Sequence, residues 1–256
     1  MRIAILSDIH GNLEALEAVL QDARKERVKR FFCAGDIVGY GANPRECIKI
    51  MQEIGARCVM GNHDYTAISS QEPFSFSDAA KEALDFTRKQ LGSDDREFLR
   101  GLPFLLEEGD IVVAHGSIVK PEQFNYIIYN PRSSSSSLMN ATFIGENFRM
   151  LAEGKRLFLG HAHVPFRLGF RDNQAMFQPD SINEISSSEG YDKVMCNAGS
   201  VGQPRDRDRR ACYMIYNPTS GEIEIRRADY DIDKAAGKIR SAGLPAKLAA
   251  RLYTGE

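Results

Sequence analysis

RIAILSDIHGNLEALEAVLQDARKERVKRFFCAGD (residues 2–36) decides how the rest of the chain is read. Its ends, RIAIL (2–6) and RFFCAG (30–35), are short apolar runs that halt at polar or glycine positions, the pattern of buried strands. Between them, NLEALEAVLQDARKERV (12–28) puts Leu13, Leu16, Leu20 and Ala23 on one helical face, with Asn12 placed to cap it. The unit then repeats. NPRECIKIMQEIG (43–55) reads as a helix with Asn43 as cap, Pro44 at the first helical position and Gly55 at the stop, and ARCVMG (56–61) reads as a third strand. A β-α-β-α-β order predicts a parallel sheet covered by helices.

Further along, a helix is expected at about 77–91 with Ser77 as cap, a short one at 94–100, and a strand at DIVVAHG (110–116). Residues 117–140 carry two prolines, several aromatics and the run SSSSS (133–137). They read as a long loop over one face, either functional or simply a solvated linker. A helix at about 141–152 precedes strand-like runs at 155–160, 165–171, 174–178, 192–197, 210–216 and 221–227. Two sheets packed face to face, with helices outside, account for both halves. No internal repeat or clean linker divides the chain, so residues 1–256 read as a single domain with a C-terminal helical tail at about 231–256, broken at GLP (243–245).

Bulk composition excludes several classes. Hydrophobic residues are 43% and charged residues 27% of 256, ordinary for a soluble globular protein. Net charge is −2, so no extended nucleic-acid surface is expected and an anionic substrate needs a local site. The first apolar stretch ends at Asp8, too short for a signal peptide, and no run approaches the roughly 20 apolar residues of a membrane helix. The five cysteines (33, 47, 58, 196, 212) are odd in number and widely spaced. They read as reduced packing thiols of a cytoplasmic protein.

The chemistry gathers where predicted strands end. RIAILSDIHG ends in Asp8 and His10, RFFCAGD in Asp36, ARCVMGNHD in Asn62, His63 and Asp64, DIVVAHG in His115, and KRLFLGHAH in His161 and His163. The carboxyl ends of strands are where α/β sheets build ligand sites. One histidine after a strand is ordinarily a structural residue. Here all five histidines of the chain fall in the set, joined by carboxylates and an amide. Burying that many polar groups is costly unless something satisfies them, and metal ions would do so. Imidazole, carboxylate and amide oxygen suit Mn, Fe, Zn, Co or Ni. Ca²⁺ prefers oxygens, and the absence of thiolate argues against a structural cysteine-zinc site. Seven candidate ligands exceed the needs of one ion that must also bind substrate, so two ions with one bridging carboxylate fit better. His161 and His163, two apart on a strand, would point the same way, although Gly160 ends the strand before them.

DIH (8–10), GD (35–36), GNHD (61–64), HG (115–116) and GHAH (160–163), in that order, resemble the calcineurin-like metallophosphoesterases. The resemblance spans residues 8–163. It implies an α/β fold, a four-layer α/β/β/α sandwich of two mixed β-sheets flanked by helices, with a dinuclear site. By that likeness Asp8, His10 and His163 hold one metal, Asn62, His115 and His161 the other, and Asp36 bridges them. His63 would stand near the leaving oxygen, with Asp64 orienting it or, more plainly, capping a helix. GDIVGYGANPRECI (35–48) and NAGSVGQPRDRDRRACYMIY (197–216) look like a bacterial subgroup that includes phosphodiesterases, protein phosphatases and diadenosine tetraphosphate hydrolases. Two departures stand out. Ala198 replaces the proline of the usual NPGS, and Gly39 stands where many members carry a second aspartate, away from the protein-phosphatase pattern.

Two cations roughly 3.5–4 Å apart would neutralise phosphoryl oxygens and activate a bridging water for in-line attack, with His63 protonating the departing oxygen. NAGSVGQPRD suggests a phosphate-binding loop, with Gly199 and Ser200 in an anion nest of backbone amides and Arg205 clamping a second phosphate. A tight turn with a surface arginine is the plainer reading. Phe124, Tyr126 and Tyr129 would stack a nucleobase or, more simply, pin the loop to the core. The expected function is hydrolysis of a phosphodiester or pyrophosphate bond in a small phosphorylated substrate, a nucleotide of the dinucleoside polyphosphate kind. A phosphomonoesterase or serine/threonine protein phosphatase is the alternative. A non-catalytic protein-binding scaffold on the same fold would lose ligands that this chain keeps.

Overall fold

The computed structural model describes residues 1–70, 76–127, 137–172, 174–178, 185–187 and 190–256. The opening unit forms as its pattern demands: β1 (Ile3–Leu6), α1 (Leu13–Lys25) and β2 (Arg30–Cys33). Asn12 caps α1 by accepting the Ala15 N–H at 3.2 Å. Next come α2 (Pro44–Glu53), β3 (Arg57–Cys58), α3 (Asn62–Ile68), α4 (Asp78–Gln90) and α5 (Ser93–Arg100). Asn43 stands at the N-cap of α2, but its side chain donates to Glu46 rather than capping the helix. Strands β4 (Leu105–Glu108) and β5 (Ile111–Ala114) form a hairpin, followed by α6 (Ser137–Met150), β6 (Arg156–Leu159), β7 (Phe166–Arg171), β8 (Gln174–Gln178), β9 (Ile185–Ser187) and β10 (Lys193–Asn197). The chain ends in β11 (Ala211–Asn217), β12 (Glu222–Ala228), α7 (Ile232–Ser241) and α8 (Ala246–Ala250), the last running into a 3-10 turn, Arg251–Tyr253.

The strands make two six-stranded sheets of order β3-β2-β1-β11-β12-β9 and β4-β5-β6-β10-β7-β8. Both are mixed. β1 pairs parallel with β2 and antiparallel with β11, while β10 pairs parallel with β6 and antiparallel with β7. One apolar core lies between the sheets, joining Ile5, Phe32 and Met214 of the first to Val113, Phe158 and Cys196 of the second. The outer face of the first sheet packs Leu6 and Ile215 against Leu16 and Leu20 of α1 and Ile48 of α2. The outer face of the second packs Val112 and Leu157 against Phe148 of α6. The layers are therefore α/β/β/α. A buried Phe such as Phe158 contributes about 3–5 kcal/mol against truncation to alanine.

Three elements differ from the sequence-based reading. The polar LLEE strand β4 goes unseen because it is a half-exposed edge strand, and β9 because it is a three-residue edge. α3 opens on Asn62, inside the polar motif itself, so no apolar period announces it. The expected 117–140 loop is shorter than its boundaries, since α6 begins at Ser137; Tyr129 and Ser133–Ser136 lie outside the described residues. Among the described residues no helix is long and apolar enough to cross a membrane.

Candidate metal centre and active site

Loops leaving β1, β2, β3, β5 and β6 meet at the carboxyl ends of both sheets. They are stitched edge to edge by the backbone. Asp8 N donates to Gly35 O, His10 N to Asp36 O and Gly160 N to His115 O, at 2.9–3.0 Å. The turns are tight enough to force left-handed backbone at Asp8 (φ +52), His10 (+50), Asp36 (+55), His161 (+66) and His163 (+58). Each such non-glycine residue costs on the order of 1 kcal/mol, and strain of this kind collects at functional sites. Gly160 is required by closeness: a Cβ there would stand 1.7 Å from Ser7 Oγ and 2.6 Å from Asp8 Oδ2.

Among the described residues the side chains converge in three groups, of which the middle one, His10, Asp36 and His63, shares His10 with one neighbour and Asp36 with the other. Asp8, His10 and His163 bring one potential ligand atom each within 4.8 Å of one another, as do Asp36, His115 and His161. Asp36 Oδ2 lies 3.6 Å from His10 Nε2 and 3.3 Å from His115 Nε2, between the two outer groups. Asn62 Oδ1 is 3.0 Å from His115 Nε2. Each aspartate has one oxygen fixed by the protein and one aimed inward. Asp8 Oδ2 accepts from Ser7 Oγ and His161 N, while Asp8 Oδ1 points inward, 3.1 Å from His163 Nε2 and with no donor aimed at it among the described residues. Asp36 Oδ1 accepts the His63 N–H at 2.8 Å.

The histidines are fixed in the same sense. The Nδ1 of His10 donates to Val38 O (3.1 Å), that of His115 to Ala34 O (2.6 Å) and that of His163 to Gln203 O (2.6 Å). A carbonyl can only accept, so each Nδ1 carries a proton, and in the neutral ring, the form that binds a metal, each Nε2 presents a lone pair. Backbone carbonyls hold metal-ligating imidazoles in this way. His10 Nε2 and His163 Nε2 face each other at 3.1 Å. Two lone pairs at that distance repel unless a cation stands beside them. The inward carboxylate oxygens, the facing imidazole nitrogens and the amide oxygen of Asn62 together fit a transition-metal ion. The field inside is strong. Burial would raise the Asp36 carboxyl, but His115, His63 and His10 outweigh it and hold it below the usual range. Burial would lower His115, yet the Asp36 carboxylate raises it to about 9. Burial takes His163 down to about 4, helped by the Arg205 charge.

His63 stands beside this cluster. Its ring packs on Phe76 (centroids 4.4 Å), Tyr40 (4.5 Å) and His10 (4.8 Å). Burial lowers its pKa to about 3, so the imidazole is neutral in this environment. The expected bond from Asp64 to that imidazole is not formed. Asp64 Oδ1 accepts from Ile37 N and Val38 N, and Oδ2 from Gly61 N, so its carboxylate ties the β2 loop to the first turn of α3. His63 Nδ1 has no partner and abuts Gly39, where a Cβ would lie 2.5 Å from it.

Donors of the loop expected to form an anion nest at Gly199 and Ser200 are largely engaged within the protein. Gly199 N donates to Asn197 Oδ1 and Val201 N to Ser7 O, and fully buried Ser200 donates from Oγ to Asp8 O. The Val201 and Ser200 donors hold the Asp8 turn, and the Gly199 amide closes its own loop on Asn197. Arg205 does reach the site: it lines a 780 Å³ cleft with His63, Asn62, His161, Tyr126 and Arg251. The two described loop aromatics divide the roles expected of them. Phe124 packs with Tyr65 and Phe104 and pins the loop, whereas Tyr126 stacks on His161 (3.6 Å) and is 48% exposed on its other side. All five cysteines are free and buried, and burial raises the Cys47 and Cys212 thiols, the latter to about 12. Sequence reasoning did not single out Arg251, which carries no motif, or Tyr40 and Gln203, which lie inside quoted stretches without a role of their own. Only their tertiary placement marks them.

Residues 1–196 match the family described as calcineurin-like phosphoesterase. A metallophosphoesterase from Sphaerobacter thermophilus is 35% identical, with a TM-score of 0.84 and coverage of 100% of this chain and 99% of that one. An uncharacterised protein of Methanocaldococcus jannaschii is 35% identical over 257 residues, 99% of this chain and 98% of its own. The symmetrical bis(5'-nucleosyl)-tetraphosphatase of Vibrio vulnificus is 27% identical over 117 residues, 44% of each chain. With the family matched over most of the chain and the buried histidine–aspartate cluster at its centre, the protein belongs to the calcineurin-like phosphoesterases, hydrolases of phosphoric esters.

Proposed function

We propose that the chain is a dinuclear metal-dependent hydrolase of a phosphodiester or pyrophosphate bond in a small nucleotide of the dinucleoside polyphosphate kind. The position of Asp36 Oδ2, between the imidazole nitrogens of His10 and His115, carries the two-ion reading. Asp8, His10 and His163 would hold one ion; Asn62, His115 and His161 the other; Asp36 would be shared. The donors suit Mn, Fe, Zn, Co or Ni. Bound there, the ions would neutralise the phosphoryl oxygens and supply an activated water. The partial likeness to the Vibrio tetraphosphatase and the stacking face of Tyr126 support a nucleotide.

This chain's own groups do the rest. His63, closed off from solvent by Phe76 and Tyr40, offers its N–H to the leaving oxygen, and the charge of a bound phosphoryl group raises its pKa toward proton donation. Asp64 positions the loops that carry Asp36 and Asn62. Arg205 sits at the cleft wall to hold substrate charge. We read residues 1–256 as one domain, because α7 and α8 pack against α4 through Ala79 and Ala83. The five free cysteines suit a reducing, cytoplasmic setting.

Metal analysis combined with Mn²⁺-supplemented assays on bis-p-nitrophenyl phosphate and p-nitrophenyl phosphate tests the reading. A panel of dinucleoside polyphosphates, cyclic nucleotides and a phosphopeptide then separates the candidates. We expect two ions per chain and preference for the dinucleoside polyphosphates. Preference for the phosphopeptide would install the protein-phosphatase alternative, and no turnover with any metal would leave the scaffold.

A further inference from the structure

Arg251, in the C-terminal 3-10 turn, lies far from every motif in sequence yet lines the same cleft as His63 and His161. It meets Arg205 through one residue. The side-chain oxygen of Gln203, itself 3% exposed, accepts from Arg205 Nη2 at 3.0 Å and from Arg251 Nη1 at 3.2 Å. Two guanidinium groups thus converge on a single neutral acceptor. Among the described residues neither pairs with an aspartate or glutamate side chain; of carboxylates Arg251 meets only the main-chain terminus at Glu256, and Arg205 Nε is buried without a partner. Burial, joined by the Arg205 charge, lowers the Arg251 pKa. Two cations sharing one neutral acceptor leave room for an anion between them.

Both arginines make a further contact besides Gln203. Arg251 Nε donates to Glu256 O at 2.8 Å. The Arg205 main chain donates to His163 O, and its guanidinium stands over the Tyr40 ring, 5.8 Å from the centroid. Tyr40 in turn touches His10 and His63. The pair therefore sits one aromatic ring away from the histidine–aspartate cluster, on the wall of its cleft.

We propose that Arg205 and Arg251, joined by Gln203, form an anion clamp for a non-scissile phosphate of the substrate, so that the preferred substrates carry a polyphosphate chain. The inference rests on the phosphoester-hydrolase reading. Guanidinium forks bind phosphate bidentately, and a second phosphate held here leaves the first at the cluster. Specificity then lies in the charge beyond the reacting group, and a simple diester gains nothing from the clamp.

The test compares kcat/KM for diadenosine tetraphosphate with that for bis-p-nitrophenyl phosphate in wild type, Arg251→Gln and Arg251→Lys. The ratio is expected to fall about tenfold or more in Arg251→Gln, mostly through KM, with partial recovery in Arg251→Lys. A proportional loss on both substrates, or an unchanged ratio, overturns the clamp and leaves Arg251 structural. Calorimetry of tripolyphosphate binding to metal-depleted protein keeps the two readings apart. If wild type hydrolyses neither substrate, the hydrolase reading fails. Tripolyphosphate affinity that drops about tenfold in Arg251→Gln still upholds the clamp; equal affinity, or no binding to wild type, removes it.

Discussion

The Nε2 atoms of His10 and His163 lie 3.1 Å apart, and both rings have committed their Nδ1 proton to a backbone carbonyl. While both rings are neutral neither nitrogen can donate to the other, and a shared cation relieves the contact. His163→Ala should therefore remove an ion rather than merely loosen the site. We expect about one ion fewer per chain by elemental analysis. The rise in Tm on adding Mn²⁺ should shrink by the equivalent of about 1–3 kcal/mol, matching a 10- to 100-fold weaker site. His161→Ala should deplete a different position, read by anomalous scattering. If both variants emptied the same position, the two-ion assignment would fail.

His63 offers a second check that leaves the metals in place. His63→Ala should keep the ion content and lose roughly 10²–10⁴ in kcat, more for a poor leaving group such as a nucleoside than for p-nitrophenolate. Gly39→Ala should reproduce the effect from the other side. Gly39 sits at φ +97, and a Cβ there would stand 2.5 Å from His63 Nδ1, so the imidazole must move. Unchanged kcat in both variants, with metals present, would remove His63 from the reaction.

Much of this was legible in the chain because polar residues that interrupt apolar runs have few structural uses. Asp8, Asp36 and His115 end strands, and the strands could be read from their apolar runs alone. Less legible was what each polar residue bonds to. Asp64 and Ser200 look like active groups in a motif, yet both serve backbone amides and carbonyls that shape the turns. Nothing local distinguishes the two uses; only the neighbouring loop does. Arg251 was hidden for the opposite reason. It belongs to no pattern, and enters the cleft because the C-terminal helices fold back over Tyr40 and Ala42.

The role of Asp64 separates cleanly by substitution. As a tie between Gly61 and the Ile37–Val38 amides, it contributes stability, and Asp64→Ala should cost about 2–4 kcal/mol in urea unfolding of the metal-free protein. Asp64→Asn keeps one acceptor oxygen and should cost less, about 1–3 kcal/mol. Were Asp64 instead holding the His63 tautomer, the asparagine would leave stability intact and lower kcat alone.

Far from the site, Asp22 gives a prediction with a definite sign in pH. Its carboxylate accepts from Tyr213 OH at 2.7 Å and from Arg226 Nε at 2.9 Å, joining α1 to β11 and β12. Burial would raise its pKa, but the Arg226 and Tyr213 bonds outweigh it and the pKa falls below the ordinary 3.8. A carboxyl whose folded pKa is depressed adds stability that is fully present above the unfolded value. That stability is lost as pH falls through the folded value. Asp22 is partly solvated, so screening limits the contribution to about 1–2 kcal/mol. Asp22→Asn should therefore unfold more easily than wild type at neutral pH in metal-free buffer. The gap should hold down to about pH 4 and narrow below that, as the wild-type carboxylate takes up its proton. A gap that stayed constant to about pH 3, or widened there, would mean that Asp22 acts through packing rather than through its charge.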